Sequence, residues 1–405
     1  MKTTLLALAL IAAAPAAQAK TWKVPKEVPT IQGAILAAGP GDTIVVSPGR
    51  YPGSLDVPAE KAGLTVRGKG RVVIDAGFLP APGVVALRAP GARLVNLTLV
   101  NGWSFGSATS GCGVFVFDSA VGAELERVRV TRCPEAGIRV QARATRLLDC
   151  EVFQQERGIR AFADEVTVDR CRTWRTESYG VRIDGDDAVV TRCEIRDVAD
   201  EGGILVYGQR ALAKKNRVDR VNYMGIFFIG SDGRMLKNEV RSAASSGFYV
   251  VGQRATFEKN RAFDCDAAGF GFDGDELVVR KNRAERGGIG FSLRCSTSRF
   301  EQNLATRCGD GFWIYEGGNE LIDNDAVECA GDGFDVQAGD GNVLIGNRAL
   351  RGHAEGIENN ADGTVLRDNL ATGNARDIAN EGTFAEFVDN VFESGGTSSS
   401  WYVDD

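Results

Sequence analysis

The chain has 405 residues, with 47 Lys and Arg against 54 Asp and Glu, one histidine, nine cysteines and a formal charge of −7 at pH 7. That acidic balance argues against general nucleic-acid binding, which draws on a basic face. With His353 alone and no CxxC pair, the chain also lacks the ligand pattern of a zinc site.

Residues 1–19 read as a cleavable secretory signal: Lys2, the apolar run LLALALIAAAPAA, then Ala17-Gln18-Ala19 before Lys20. The run is too short to span a membrane, and no later stretch approaches the needed length. Residues 20–80 read as an N-terminal cap with its first strands. Thr30 is placed to N-cap a short helix over TIQGAILAA (30–38), and GDTIVVSPGRY and GLTVRGKGRVVIDAG follow as strands.

Residues 81–392 repeat. An asparagine returns every 21 to 23 residues, at Asn216, Asn238, Asn260, Asn282, Asn303, Asn324, Asn347, Asn369 and Asn390, and Cys150, Cys171 and Cys193 continue the column upstream. In phase with it runs a glycine followed by alternating apolar residues, as in GIRVQA (137–142), GIFFIG (225–230) and GFWIYE (311–316). Alternation at period two means strands, and a fixed period of this length means a solenoid whose rungs bury their apolar faces on one another. About 13 rungs are expected, giving a stack roughly 60 Å long at one strand spacing per rung. An open first rung invites edge pairing, so the short helix is expected to cover it.

The stretch NGWSFGSATSGCG (101–113) interrupts the repeat, and 393–405 form a tail in which Trp401 and Tyr402 are able to dock. The asparagines are expected to be structural, since Asn tolerates the left-handed backbone of a sharp turn and stacked amides hydrogen-bond from rung to rung. The cysteines read mainly as small core residues. Cys308 and Cys329, on adjacent rungs, are the pair best placed for a disulfide.

The segment VPTIQGAILAAGPGDTIVVSPGRYPG, with GLTVRGKGRVVIDAG and the GIxV…N repeats, resembles the right-handed parallel β-helix proteins of the pectin-lyase-like class over nearly the whole chain after residue 19. The resemblance implies an all-β, right-handed, single-stranded parallel β-helix. It also implies that the Gly-led strand is the first of each rung, its outer face forming the substrate groove in polysaccharide-degrading members. The class includes lyases, hydrolases, epimerases, accessory proteins and adhesins, so it does not settle function.

With Ile and Val of GIRV pointing inward, the third and fifth positions point outward and define three zones. Arg139, Arg160 and Arg182 lie on consecutive rungs, either meeting a carboxylate-bearing polymer or pairing with Glu135, Glu156 and Glu177. Asp184 shares a rung with Arg182. Leu205, Tyr207, Phe227, Ile229, Tyr249 and Val251 form an apolar zone, either a platform for sugar rings or a surface covered by a loop or the tail. Trp313 and Tyr315 sit beside Asp335 and Glu358, and Asp310, Asp332 and Glu355 each precede a rung's glycine. These five carboxylates form either a Ca²⁺ site or a solvated acidic rim.

A lyase needs a uronate carboxylate neutralised and a base; Arg294 is the candidate base, with Asp273 one rung earlier as its neighbour, a pair that a salt bridge explains equally well. A retaining glycosidase needs two carboxyls about 5–5.5 Å apart, which Asp335 and Glu358 on adjacent rungs would meet. The NTD, DD, GHG and RIK set of the related galacturonan hydrolases is absent; VRID at 181–184 is not RIK. The expectation is therefore a secreted, periplasmic or cell-surface β-helix that binds a polysaccharide, expected to be acidic, and if catalytic cleaves it by β-elimination, with Ca²⁺ as the candidate cofactor. A non-catalytic scaffold and a paired-carboxylate hydrolase are the alternatives.

Overall fold

Apolar alternation becomes strand on three faces of each rung. The computed structural model describes residues 18–103 and 111–393; most of the expected signal segment 1–19, most of the 101–113 excursion and the tail with Trp401 and Tyr402 lie outside the described residues. One rung runs Met224–Ile229, Arg234–Leu236, Glu239–Ala243. Each strand pairs in parallel with its counterpart one repeat later, Ile226 with Phe248, Arg234 with Thr256 and Glu239 with Arg261. The Gly-led strands form a 15-stranded sheet. The other two faces merge into one 31-stranded sheet, because Arg93–Val100 and Glu124–Thr131 run through the corner between them.

The stack has about 17 turns, more than the 13 counted from the Gly and Asn columns. The difference lies at the N-terminal end. Thr21–Val24, Thr43–Val46 and Thr65–Gly68 stack directly on one another as rungs, although their turns lack the Asn and Gly columns. The helix Ile31–Ala37 forms as expected, with Thr30 Oγ1 accepting from the Gly33 N–H at 3.0 Å. It buries Ile31, Ala34 and Ile35 against these first strands. Among the described residues no helix is long and apolar enough to cross a membrane.

Inside, inward positions of successive rungs superimpose. Phe248, Phe270, Phe291, Phe312 and Phe334 form a near-parallel stack with centroids 4.7–4.9 Å apart. Each is fully buried, contributing on the order of 2–3 kcal/mol by area. All nine cysteines are buried and free, so the Cys308–Cys329 disulfide is not formed.

The asparagine column is a buried ladder. In each step the backbone N–H and the side-chain amide of one Asn both donate to Oδ1 of the next, as Asn260 does to Asn282 at 2.9 and 3.0 Å. The amide also donates back to a carbonyl of the preceding rung, Asn260 Nδ2 to Met235 O at 2.7 Å. Cys150, Cys171 and Cys193 substitute weakly for that last bond, their Sγ donating to Leu125, Leu147 and Val168 carbonyls. The left-handed conformation expected of the asparagines belongs instead to the residue before each one. Lys215, Lys237, Lys259 and Lys281 have φ between 57° and 59°. With the corner turned one residue earlier, the Asn side chain can point inward and satisfy the turn's backbone. A second, shorter ladder, Ser298, Asn319 and Asn342, serves another corner in the same way.

Candidate functional site

The outer surface of the Gly-led sheet carries the outward residues in strict register, so each zone is a set of stacked side chains. The arginines do not form an open cationic strip. Arg139 is only 7% exposed and lies 3.3 Å from Glu135, whose carboxylate also takes Arg157 at 3.0 Å and the Cys112 thiol at 3.0 Å. Its guanidinium sits between Phe115 and Phe162. Of the expected loop partners Glu135 is correct. Glu156 pairs with Arg157 rather than with Arg160, and Arg182 pairs with Asp184 and Glu201. Arg160 has no carboxylate within 4.0 Å among the described residues and stacks over Phe162 and Tyr179. Arg157 and Glu201 were missed because they lie outside the alternating positions.

The apolar zone is a cleft. Tyr207 and Phe227 contact edge to face with centroids 5.7 Å apart, and Phe227 meets Tyr249 on the next rung in a tilted contact at 5.9 Å. They remain half-buried, and a hollow of about 370 Å³ opens beside them, lined by Leu205, Tyr207, Tyr223, Phe227, Asp200 and Glu201. Leu205 is buried in it, whereas Ile229 stands exposed on the sheet.

Asp273 and Arg294 occupy paired positions on neighbouring strands. They make no salt bridge within 4.0 Å, and both are exposed. The Arg294 guanidinium instead reaches forward over Trp313, 5.5 Å from the ring centroid, and Trp313 stacks on Tyr315 at 5.4 Å. Trp313 pairs with Asp335, and Asp335 with Glu358, on the next two strands. Asp273 therefore lies three rungs from Asp335, about 14 Å at one strand spacing per rung, so the two cannot act on one bond.

The five carboxylates divide. Asp332, Asp335 and Glu358 place one oxygen each within 4.8 Å of one another. Asp310 instead accepts from the Asp332 N–H at 3.1 Å, tying adjacent rungs together, and Glu355 faces Arg376 at 3.6 Å. Burial, reinforced by the charges of Glu355 and Glu358, pushes the Asp332 carboxyl up to about 7. Burial also pushes Asp335 up to about 6, with Glu358 adding to the rise and a hydrogen bond from Gln337 opposing it. Two carboxyls that change protonation near neutrality thus stand one rung from an aromatic platform and two rungs from the Arg294 guanidinium.

Residues 85–210 and 202–349 each match the profile of the right handed beta helix region. The chain belongs to that family. No curated protein sequence matches this β-helix protein. Among solved structures it is similar to a mannuronic acid specific polysaccharide family 6 lyase from human gut microbiota, at 11% identity over 92% of each chain with a TM-score of 0.51. It is also similar to a PL6 family alginate lyase, at 11% identity over 93% of this chain and 78% of that one, with a TM-score of 0.50. At this identity the likeness is one of fold, and the β-helix protein's chemistry rests on its own side chains.

Proposed function

We propose that this β-helix protein binds a uronate-bearing polysaccharide lengthwise on the Gly-led face and breaks it by β-elimination over Trp313. The observation that carries this reading is the single rung-to-rung run of Arg294, Trp313 and Asp335. Trp313 and Tyr315 offer the flat apolar surface a sugar ring stacks on. A guanidinium keeps its charge at any accessible pH, so Arg294 suits the neutralisation of a uronate carboxylate better than the role of base. Asp335, ionised above about pH 6, takes the proton next to that carboxylate and returns it to the departing glycosidic oxygen. Arg160 and the ring cleft at Tyr207, Phe227 and Tyr249 hold the polymer further along. Asp273, too distant for the bond in question, belongs to binding. The lyase names of the two solved structures agree with a uronate polymer.

A second reading gives the carboxylates to a metal, favoured by the convergence of Asp332, Asp335 and Glu358. Three hard oxygen donors at this spacing suit Ca²⁺, which would supply neutralisation of the substrate carboxylate. In that case Asp332 and Asp335 stay ionised rather than taking up protons near neutrality. The test incubates the protein with alginate, polygalacturonate and neutral dextran, following the ultraviolet absorbance of an unsaturated product and Trp313 fluorescence. Product from a uronate polymer, lost in Arg294→Ala and Asp335→Asn, is expected. Neither product nor a fluorescence change with any polymer refutes the reading.

A further inference from the structure

We infer that the asparagine corner carries a second polyanion-binding site, a lysine stripe that seats an extended acidic glycan along the stack, away from the Gly-led face. The left-handed residue preceding each ladder asparagine points out of the corner, and on four consecutive rungs it is Lys215, Lys237, Lys259 and Lys281, all exposed. Their backbone N–H groups donate to Leu236, Glu258, Arg280 and Glu301 carbonyls of the following rung, which holds the column in register. The ammonium stems therefore leave the backbone at intervals of one strand spacing, ~4.8 Å.

This column departs from the way the fold treats its other corners. At several left-handed positions elsewhere, an arginine pairs with a carboxylate one rung away. Arg210 meets Asp187 at 2.8 Å, Arg254 meets Asp232 at 2.9 Å and Arg220 meets Asp197 at 2.7 Å. In the lysine column four like charges stack, and the one ion pair among them is Lys259 with Glu258 at 2.9 Å. Stacked cations repel unless an external anion compensates them. Next to the column a groove of about 540 Å³ is lined by Lys237, Lys259, Lys281, Arg261 and Arg283, with Glu239 on its wall. Arg261 has no carboxylate within 4.0 Å among the described residues. A chain of net charge −7 thus carries a line of four exposed lysines at this corner.

The shape selects the partner. The stripe is one side chain wide and axial, with a cation at every strand spacing, ~4.8 Å, which suits a linear polymer that carries a carboxylate on each sugar ring. A membrane surface would call for apolar side chains beside the cations, and the groove offers Leu304 and otherwise polar residues. The site shares the polymer class of the proposed function but does not depend on chemistry at Trp313. It would hold substrate, or anchor the protein on an acidic glycan, while the Gly-led face works.

The test uses the mature chain with all four lysines changed to Gln, a residue the same column already carries in left-handed form at Gln302, φ 54°. A companion with all four changed to Arg keeps the charge. Retention on immobilised polygalacturonate and alginate is measured against salt. We expect the wild type and the Arg variant to be held at low ionic strength and released as salt screens the stripe, with the Gln variant weakened about tenfold or more. Product formation from short oligosaccharides should be unchanged in the Gln variant. Equal retention of the Gln variant and wild type overturns the inference, as does lysine-dependent capture confined to anionic vesicles. Lysine-dependent retention without product or Trp313 response would instead refute the proposed function and leave the stripe standing.

Discussion

Asn282→Leu tests the ladder at mid-stack. Asn282 is 1% exposed. Its Oδ1 accepts from the N–H and the side-chain amide of Asn260, and its Nδ2 donates to the Phe257 carbonyl and Asn303 Oδ1, each at 2.9–3.0 Å. Leucine matches the branching of Asn but is bulkier, so crowding at the 2.9–3.0 Å contacts adds to the loss. What it removes is the partner of the buried Asn260 N–H and the side-chain donor to the Phe257 carbonyl. At about 1–3 kcal/mol for each buried group left unpaired, two backbone groups give about 2–6 kcal/mol, and about 4 kcal/mol is expected. Urea unfolding followed by circular dichroism measures the loss. Because repeat proteins can unfold in parts, amide hydrogen exchange should localise it, with the Asn260 amide losing protection and the distant Asn369 amide keeping it. A loss below about 1 kcal/mol with an unchanged Asn260 amide would refute the reasoning.

The carboxyl cluster makes stability depend on pH with a definite sign. Asp332 and Asp335 hold protons more tightly folded than unfolded, so their contribution is complete below their ordinary value of 3.8 and is lost as pH rises through about 6 to 7. The melting temperature should fall across that window in the wild type, and the fall should be smaller in Asp332→Asn, Asp335→Asn. If the metal reading holds, millimolar Ca²⁺ at pH 8 should raise the melting temperature of the wild type and not of that double variant; equal shifts in both remove Ca²⁺ from the site. Arg139→Ala should cost about 2–4 kcal/mol in urea, since it strips one of two guanidinium partners from buried Glu135. Arg160→Ala should cost less than about 1 kcal/mol yet weaken polyuronate binding, a split that equal losses of stability in the two variants would contradict.

The rung was legible because its causes are local and repeat. Apolar alternation after each glycine forces strand, and an amide recurring every 21 to 23 residues can stack only if one coil of chain separates the copies. The sequence by itself therefore determined the parallel stack, the inward and outward faces, the helix capped by Thr30 and the ladder's membership. It undercounted the turns, since Thr21–Val24, Thr43–Val46 and Thr65–Gly68 take their places by pairing with neighbours rather than by carrying the motif. Side-chain consequences at the corners needed the tertiary structure. Arg139 and Arg160 occupy equivalent sequence positions, yet Glu135 holds one and aromatic rings flank the other. Asp273 and Arg294 are register partners that do not meet, because the guanidinium extends forward over Trp313. Asp332 and Asp335 acquire their raised affinity for protons from burial beside other carboxylates of the stack. Register follows from periodicity, whereas charge and reach depend on which rotamer each side chain takes against the rungs above and below it.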